Sequence, residues 1–190
     1  MAGGPTLIVL DRDGVLNETV PNPAEARPDS PLHPGEARVF PWVPEALRAL
    51  GAAGFGLVIA SNQPAAAKGK TTRAALEAVH AAIVSQAQVA GAPILSSHIC
   101  FHRAEDGCGC RKPATGLLAD AFALHPGYAP GDAWMVGDRA SDVLAGAAFG
   151  MRTAFLGDRA SADYAELEAR AIRPSFCGVD LRDFTEFLLR

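Results

Sequence analysis

The sequence predicts an α/β fold in which helices cover both faces of a parallel sheet. Short unbroken apolar runs, of which residues 7–10 are the first, are typical of strands that are buried on both sides. Segments with apolar residues at helical spacing alternate with these runs along the chain. Such alternation places the strands parallel to one another and the helices on the two faces of the sheet.

The individual elements follow from local signals. We predict strands at residues 7–10, 56–61, 97–101, 133–136, 153–156 and 175–177. Pro44 suits the first turn of the first helix, which Gly54 ends. Thr71 and Thr72 cap a longer helix that ends at Gly91. Further helices are predicted at residues 114–124, 141–149 and 164–169, and Asp180 caps the last one.

A Pro-rich passage at residues 17–41 separates the first strand from the first helix. It shows neither helical nor strand periodicity, and loops of this length are usually functional or disordered. Two interpretations stay open. The passage either lies over the strand ends and shapes the entrance to a site, or it is a solvated excursion.

Composition limits the class of function. We predict that residues 1–190 form a single domain, because the chain shows no repeat and no linker. A net charge of -4 offers no positive surface for nucleic acid or an anionic membrane. Gly and Pro interrupt the apolar stretch at residues 49–67, and the start of the chain lacks the pattern of a signal peptide. We therefore expect a cytoplasmic monomer without membrane or nucleic-acid partners.

Polar side chains follow three of the predicted strands. In a parallel sheet these carboxyl ends share one edge, which is where open α/β sheets bind ligands. Two carboxylates about 4 Å apart repel by roughly 4 kcal/mol at an effective dielectric constant of 20, so they favour a cation or a shared proton. The pairs are Asp11 with Asp13, Ser61 with Asn62, and Asp138 with Asp142.

Arg111, Lys112 and Pro113 lie between the second and third of these pairs. The four short motifs DRDGV, SNQ, RKP and GDRASD thus appear in the order found in the haloacid dehalogenase superfamily. The chain resembles that superfamily from about residue 7 to residue 156. The resemblance implies a Rossmann-like fold without a large cap domain. It also implies Mg²⁺-dependent hydrolysis of a phosphate monoester of a small metabolite through an aspartyl phosphate.

The same resemblance assigns roles to individual residues. Asp11 is the expected nucleophile, and Asp13 the general acid/base that protonates the leaving oxygen and then activates water. Ser61 would donate a hydrogen bond to a phosphoryl oxygen, and Lys112 would balance its charge. The Asp11 carboxylate, the Asp13 backbone carbonyl and Asp138 would hold Mg²⁺, with Asp142 supporting them from behind. We expect the neighbouring carboxylate to raise the pKa of Asp13.

A second cluster combines three cysteines and one histidine: Cys100, His102, Cys108 and Cys110. Such a set completes the tetrahedral coordination of a structural Zn²⁺ and leaves no position for water. The alternative is a group of buried or reactive thiols. The zinc loop at residues 100–110 directly precedes Arg111 and Lys112, so zinc would order the segment that carries both cations. Cys177 stands apart and is predicted to lie in the core.

The zinc loop followed by RKP resembles a subgroup that contains heptose 1,7-bisphosphate phosphatases and histidinol-phosphate phosphatases. The runs AKGK and RKPATGLL favour the heptose enzymes, whereas GDRASD favours the histidinol-phosphate enzymes. The chain departs from the heptose pattern at Pro64 and Ala65. We expect removal of the 7-phosphate of heptose bisphosphate in carbohydrate metabolism; the alternatives are histidinol-phosphate hydrolysis or a non-catalytic zinc-binding module. The candidate substrate-binding residues are Asn62, Gln63, Lys68, Arg111 and Arg139. For Lys68 and Arg139 the alternative is a solvated surface charge that binds no substrate.

Overall fold

The computed structural model describes residues 5–22, 28–88 and 94–190. Within them, six parallel strands form one sheet in the order β3-β2-β1-β4-β5-β6. This is the strand order of a doubly wound dinucleotide-type sheet, and the predicted Rossmann-like α/β class is confirmed. The strands are β1 (Leu7–Leu10), β2 (Gly56–Asn62), β3 (Ile94–Cys100), β4 (Trp134–Gly137), β5 (Arg152–Leu156) and β6 (Phe176–Gly178).

Strand β1 lies at the centre of the sheet. Its four side chains are fully buried, and Leu10 pairs with Ile59 of β2 on one side and Val136 of β4 on the other. Full burial of one such aliphatic side chain stabilises a fold by about 1.5–3 kcal/mol, so this run anchors the sheet. The chain crosses from β1 to opposite sides of the sheet at this point, which opens a crevice beyond the carboxyl end of β1.

Helices cover both faces of the sheet. Ile8 and Leu10 face one layer and Leu7 and Val9 the other, because side chains alternate along a strand. The first layer consists of α1 (Val43–Ala52), α2 (Arg73–Gln88) and α6 (Leu181–Leu189), and the second of α3 (Gly116–Leu124), α4 (Ala140–Ala148) and α5 (Ala162–Ala169).

Most element boundaries agree with the sequence prediction to within two or three residues. Thr72 caps α2 by accepting a hydrogen bond from the backbone N–H of Ala75, and Asp180 caps α6, as predicted. Thr71, also predicted as a cap, donates instead to the carbonyl oxygen of Leu32. Strand β3 begins at Ile94, earlier than predicted. It is an edge strand whose half-buried residues include polar ones, so its start lacks the apolar run on which the prediction depended. The predicted helix end at Gly91 lies outside the described residues.

The described part of the Pro-rich passage returns twice to the body of the protein. Asn17 pairs with Val39, and Val20 pairs with Asp29, in isolated antiparallel bridges. A single helical turn, Pro34–Glu36, follows. Several residues of the Pro-rich passage line the cavity described below, which agrees with the interpretation that the passage shapes the entrance to a site. None of the described helices has the length and apolarity that crossing a membrane requires.

Candidate active site

The candidate active site is a cavity of about 420 Å³ beyond the carboxyl end of the central strands. Asp11 directly follows β1, Ser61 lies near the end of β2, and Asp138 directly follows β4. The three strands are neighbours in the sheet, so the polar residues predicted at separate strand ends come together. Asp11 and Ser61 line the cavity together with Lys112 and Asp142.

Lys112 forms the electrostatic centre of this cavity. Its Nζ lies 2.8 Å from Asp11 Oδ1 and 2.6 Å from Asp142 Oδ1, and it donates to the carbonyl oxygen of Ala60 at 2.6 Å. The residue is 3% exposed. Burial acts to lower the pKa of Lys112, but the charges of Asp11 and Asp142 outweigh it and hold that pKa above its ordinary value. Lys112 therefore stays a cation beside Asp11.

Asp138 faces the same centre with one unsatisfied atom. Its Oδ1 is buried and has no hydrogen-bond partner in the described residues, while Oδ2 lies 3.5 Å from Arg139 Nε. Burial, followed by the charges of Asp11 and Asp142, raises the pKa of Asp138 well above its ordinary value. Gly14 permits the close approach: it has a φ of 85°, and a methyl group there would overlap the Asp138 carboxylate.

These carboxylates fit a divalent cation. Asp11, Asp138 and Asp142 each offer an oxygen, and the three oxygens lie within 4.8 Å of one another. Asp142 is already engaged, because its Oδ1 contacts Lys112 and its Oδ2 accepts from the backbone N–H of Arg139 at 3.0 Å. The unpartnered oxygen of Asp138 is the atom that a hard cation such as Mg²⁺ would satisfy, together with Asp11.

Asp13 points away from this carboxylate cluster. Its Oδ1 accepts from Asn17 at 2.8 Å and from Arg12, and its Oδ2 accepts from Ser30 at 2.9 Å and Gln63 at 2.5 Å. Burial acts to raise the pKa of Asp13, but Arg12 and the three hydrogen bonds outweigh it, and the pKa is lowered. The predicted upward shift is therefore wrong for Asp13, since its nearest charge is the Arg12 guanidinium and not a carboxylate. Asp138 and Asp142 carry the raised pKa values instead.

The SNQ motif serves the site in three different ways. Ser61 lines the cavity and its Oγ accepts from Gln63 Nε2 at 3.0 Å. Asn62 donates to the carbonyl oxygen of Lys112 at 3.0 Å and accepts from the Lys112 backbone N–H at 3.1 Å, so it fixes the backbone that carries the cation. Gln63 is fully buried behind Asp13 and Ser61 and does not line the described cavity. The expectation that Gln63 contacts substrate is corrected by this placement, which makes it an orienting group.

The remaining predicted cations lie around the mouth of the cavity. Lys68, Arg111 and Arg139 all line it. Arg111 donates to the carbonyl oxygen of His102 at 3.2 Å, and Arg139 lies 3.7 Å from Asp163. Lys70, the last residue of the AKGK run, lines the cavity as well. The structure also adds lining residues that the sequence reasoning did not single out, because they belong to no motif: Thr19, Pro28, Asp29, Ser30, Asp163 and Glu166.

The predicted cysteine and histidine cluster converges on one point. Cys110 Sγ lies 3.2 Å from Cys100 Sγ, 3.4 Å from Cys108 Sγ and 3.3 Å from His102 Nδ1, and the Cys100 and Cys108 sulfurs are 3.7 Å apart. Ligands about 2.3 Å from a common ion in tetrahedral geometry stand roughly 3.7 Å apart, so the donor set fits one tetrahedral metal. All four cysteines of the chain are free thiols. Cys177, predicted to lie in the core, is only partly buried and packs against the edge of a small apolar cluster.

The cluster is connected to Lys112 by a short stretch of backbone. Gly109 accepts from the backbone N–H of Gly116 at 2.9 Å, and Ala114 donates to Arg111 at 2.8 Å. A methyl group at Gly116 would overlap the Gly109 carbonyl, so the turn packs tightly on the loop. The loop at residues 100–110 thus supports the segment that places Lys112.

Comparisons with known proteins agree with this geometry. The model of HAD-hydrolase-like proteins matches residues 109–184. A D-glycero-β-D-manno-heptose-1,7-bisphosphate 7-phosphatase of Pseudomonas putida is 34% identical over 149 residues, which cover 76% of this chain and 78% of the relative. The corresponding α-anomer enzyme of Mycobacterium tuberculosis is 32% identical and covers 75% and 72%.

Solved structures give the same result for the fold. The crystal structure of a D,D-heptose 1,7-bisphosphate phosphatase from B. bronchiseptica, complexed with magnesium and phosphate, aligns with a TM-score of 0.80 at 28% identity. That alignment covers 97% of this chain and 98% of the other. The chain therefore belongs to the haloacid dehalogenase-like hydrolases, in the family that contains the heptose 1,7-bisphosphate 7-phosphatases, and is a phosphoric monoester hydrolase.

Proposed function

We propose that this phosphatase removes the 7-phosphate of D-glycero-D-manno-heptose 1,7-bisphosphate through an aspartyl phosphate on Asp11. The observation that carries the proposal is the contact between Lys112 and Asp11, 2.8 Å apart at the floor of the cavity. Relatives at 30–34% identity that act on this sugar bisphosphate support the choice of substrate.

The first half-reaction uses Asp11 and Lys112. A phosphate dianion and a carboxylate repel each other, so attack requires fixed positive charge beside the nucleophile. The buried Lys112 ammonium supplies it from the protein, and the Ser61 hydroxyl, at the end of the neighbouring strand, would donate to a phosphoryl oxygen. An Asp11 oxygen bonds to phosphorus while the bond to the sugar oxygen breaks.

Asp13 transfers a proton in each of the two half-reactions. It gives a proton to the departing sugar oxygen, and it then takes one from the water that attacks the phosphorus of the aspartyl phosphate. Phosphate leaves and the Asp11 carboxylate is restored. Because the pKa of Asp13 is lowered in the free protein, its protonated form depends on a change in its surroundings when the phosphate ester binds.

The carboxylates of Asp11 and Asp138, with the backbone carbonyl of Asp13, are the groups proposed to hold Mg²⁺. When bound, this ion would supply further positive charge that offsets the repulsion between Asp11 and the phosphoryl group. Asp142 supports the site indirectly, because it orients Lys112.

The second cluster is proposed to hold a structural Zn²⁺ through Cys100, His102, Cys108 and Cys110. Five short contacts among these donor atoms support a single tetrahedral ion. Structural zinc in finger peptides binds with an apparent free energy of about 10–16 kcal/mol, ample to order a short loop. Its role here is to fix the backbone that leads to Arg111 and Lys112.

The cavity walls bear on the choice between substrates. Lys68 and Arg111 would bind the remote phosphate of a sugar bisphosphate. Asp163 and Glu166 also line the cavity, and such carboxylates suit either sugar hydroxyls or the ammonium group of histidinol phosphate. Histidinol phosphate is therefore the second candidate substrate.

Steady-state phosphate release with Mg²⁺ tests the proposal on the α- and β-anomers of heptose 1,7-bisphosphate and on histidinol phosphate. We expect one heptose anomer to exceed histidinol phosphate at least about 100-fold in kcat/KM, which is about 2.7 kcal/mol of transition-state discrimination. The reverse preference would transfer the function to histidinol phosphate. Failure to hydrolyse any phosphate ester would favour a non-catalytic zinc-binding module.

The proposal also places the enzyme in the cytoplasm as a monomer whose partner is a small phosphorylated metabolite. The free thiols of the zinc cluster support a reducing compartment, where such side chains remain available to metal. Light scattering in solution tests the monomer, and a stable dimer would contradict it.

A further inference from the structure

The Pro-rich passage brings a hydroxyl group to the general acid/base. Ser30 Oγ donates to Asp13 Oδ2 at 2.9 Å, and the two residues are 17 positions apart in the chain. Both line the cavity. No motif includes Ser30, and the mechanism proposed above does not use it.

Ser30 differs from the other groups that donate to Asp13. Arg12, Asn17 and Gln63 are fully buried and reach the carboxylate from the protein interior. Ser30 is partly exposed and approaches from the loop that lines the cavity. Among the described donors to Asp13, it is therefore the one that reaches the carboxylate from the side of the cavity.

The position of Ser30 is set by its neighbours on both sides. Asp29 Oδ2 lies 2.7 Å from Lys70 Nζ, and the carbonyl oxygen of Leu32 accepts from Thr71 Oγ1 at 3.1 Å. Lys70 and Thr71 immediately precede α2, so the loop is fastened to the segment that follows β2. Two anchors within two residues of Ser30 leave its hydroxyl little freedom to leave Asp13.

We propose that Ser30 is a positioning residue that holds the Asp13 carboxyl group in the orientation needed for both proton transfers. This inference rests on the proposed aspartyl-phosphate mechanism. Ser30 gains and loses no proton overall, because its hydroxyl acts only as a hydrogen-bond donor to Asp13 Oδ2. The interior donors restrain the carboxylate from one side, and Ser30 restrains it from the side of the substrate.

The test compares Ser30→Ala with wild type, with Ser30→Thr, which keeps the hydroxyl, and with Ser85→Ala. Ser85 is an exposed serine of α2 and serves as the matched control. General acid/base catalysis contributes roughly 100- to 10,000-fold to such reactions, and we expect loss of one of several restraints to lower kcat about tenfold. KM and the melting temperature should stay near the wild-type values, because the expected role is not in ground-state binding or folding. Ser30→Thr should recover most of kcat, and Ser85→Ala should match wild type.

A double variant separates action through Asp13 from other effects. In an Asp13→Asn background, Ser30→Ala should lower the residual kcat less than about twofold, because the group that it positions has gone. Wild type is first assayed on p-nitrophenyl phosphate and on both anomers of heptose 1,7-bisphosphate. The variants are then compared on every ester that wild type hydrolyses. Three results would overturn the inference while the proposed function stands. One is an unchanged kcat for Ser30→Ala, and another is a rise in KM or a fall in stability that matches the loss of kcat. The third is a full further loss of kcat in the Asp13→Asn background. A wild-type protein that is inactive on every ester overturns both.

Discussion

Replacement of Lys112 by methionine tests the electrostatics of the site most severely. The substitution removes the one ammonium that contacts both Asp11 and Asp142 among the described residues, at 2.8 and 2.6 Å. Methionine preserves most of the volume, so the loss is mainly of charge and hydrogen bonds. It leaves three carboxylates facing one another: Asp11, Asp138 and Asp142.

The expected magnitude follows from the burial of the pair. Removing one partner of a buried ion pair costs about 3–5 kcal/mol, because the remaining charge is left without compensation. For a protein of this size, each kcal/mol shifts the melting temperature by roughly 2–4 °C, so we expect a fall of about 6–20 °C in metal-free buffer. Turnover should be abolished in the same variant.

The deficit should depend on pH in a defined direction. Without Lys112, the raised pKa values of Asp138 and Asp142 rise further, so the folded state binds more protons than the unfolded state. The stability deficit of the variant relative to wild type is therefore smaller near about pH 6 than near about pH 8. Thermal melts at both pH values measure this difference, with Arg48→Met as control because Arg48 is exposed and pairs only across the surface of α1. A deficit that is equal at both pH values, or no deficit at all, would refute the reasoning.

Three further predictions concern the nucleophile and the two metals. Asp11→Asn should abolish phosphate release while its circular dichroism spectrum stays native, and a variant with substantial turnover would remove Asp11 from its role. Cys110→Ser should lower the zinc content measured by atomic absorption and reduce kcat through Lys112, whereas full activity without zinc would contradict a supporting role for the loop. Burial raises the pKa of Asp142 to about 6; the charge of Lys112 opposes this rise and the charge of Asp11 adds to it. The pKa of Asp138 is also raised, so protons should compete with Mg²⁺. Calorimetry should therefore show weaker Mg²⁺ binding as the pH falls from about 8 to about 6, and an affinity independent of pH would exclude Asp138 as a ligand.

The sequence was sufficient for the parts of the fold that depend on short-range patterns. The run Leu7–Leu10 identified the central strand because four consecutive apolar residues need burial on both faces of a sheet. The prediction for the edge strand β3 missed its first three residues, Ile94, Leu95 and Ser96, because Ser96 and Ser97 separate the two apolar residues there from the rest of the strand. Side chains of the motifs met at one edge because parallel strands end together.

The direction in which a side chain points was less accessible. The pair Asp11 and Asp13 suggested two repelling carboxylates, yet Asp13 turns to the buried Arg12 between them, and its pKa moves downward. Nothing in the local pattern distinguishes a solvated arginine from a fully buried one. Ser30 was missed for a related reason, since contact between a loop without periodicity and a residue 17 positions away depends on the tertiary fold.

The central claim is that phosphate passes through the Asp11 carboxylate. Acid quench during turnover of heptose 1,7-bisphosphate with Mg²⁺, followed by borohydride reduction, converts an aspartyl phosphate into homoserine, which peptide mass spectrometry locates. The account predicts this conversion at Asp11, dependent on substrate. Turnover with an unmodified Asp11, or modification of a different residue, would contradict it.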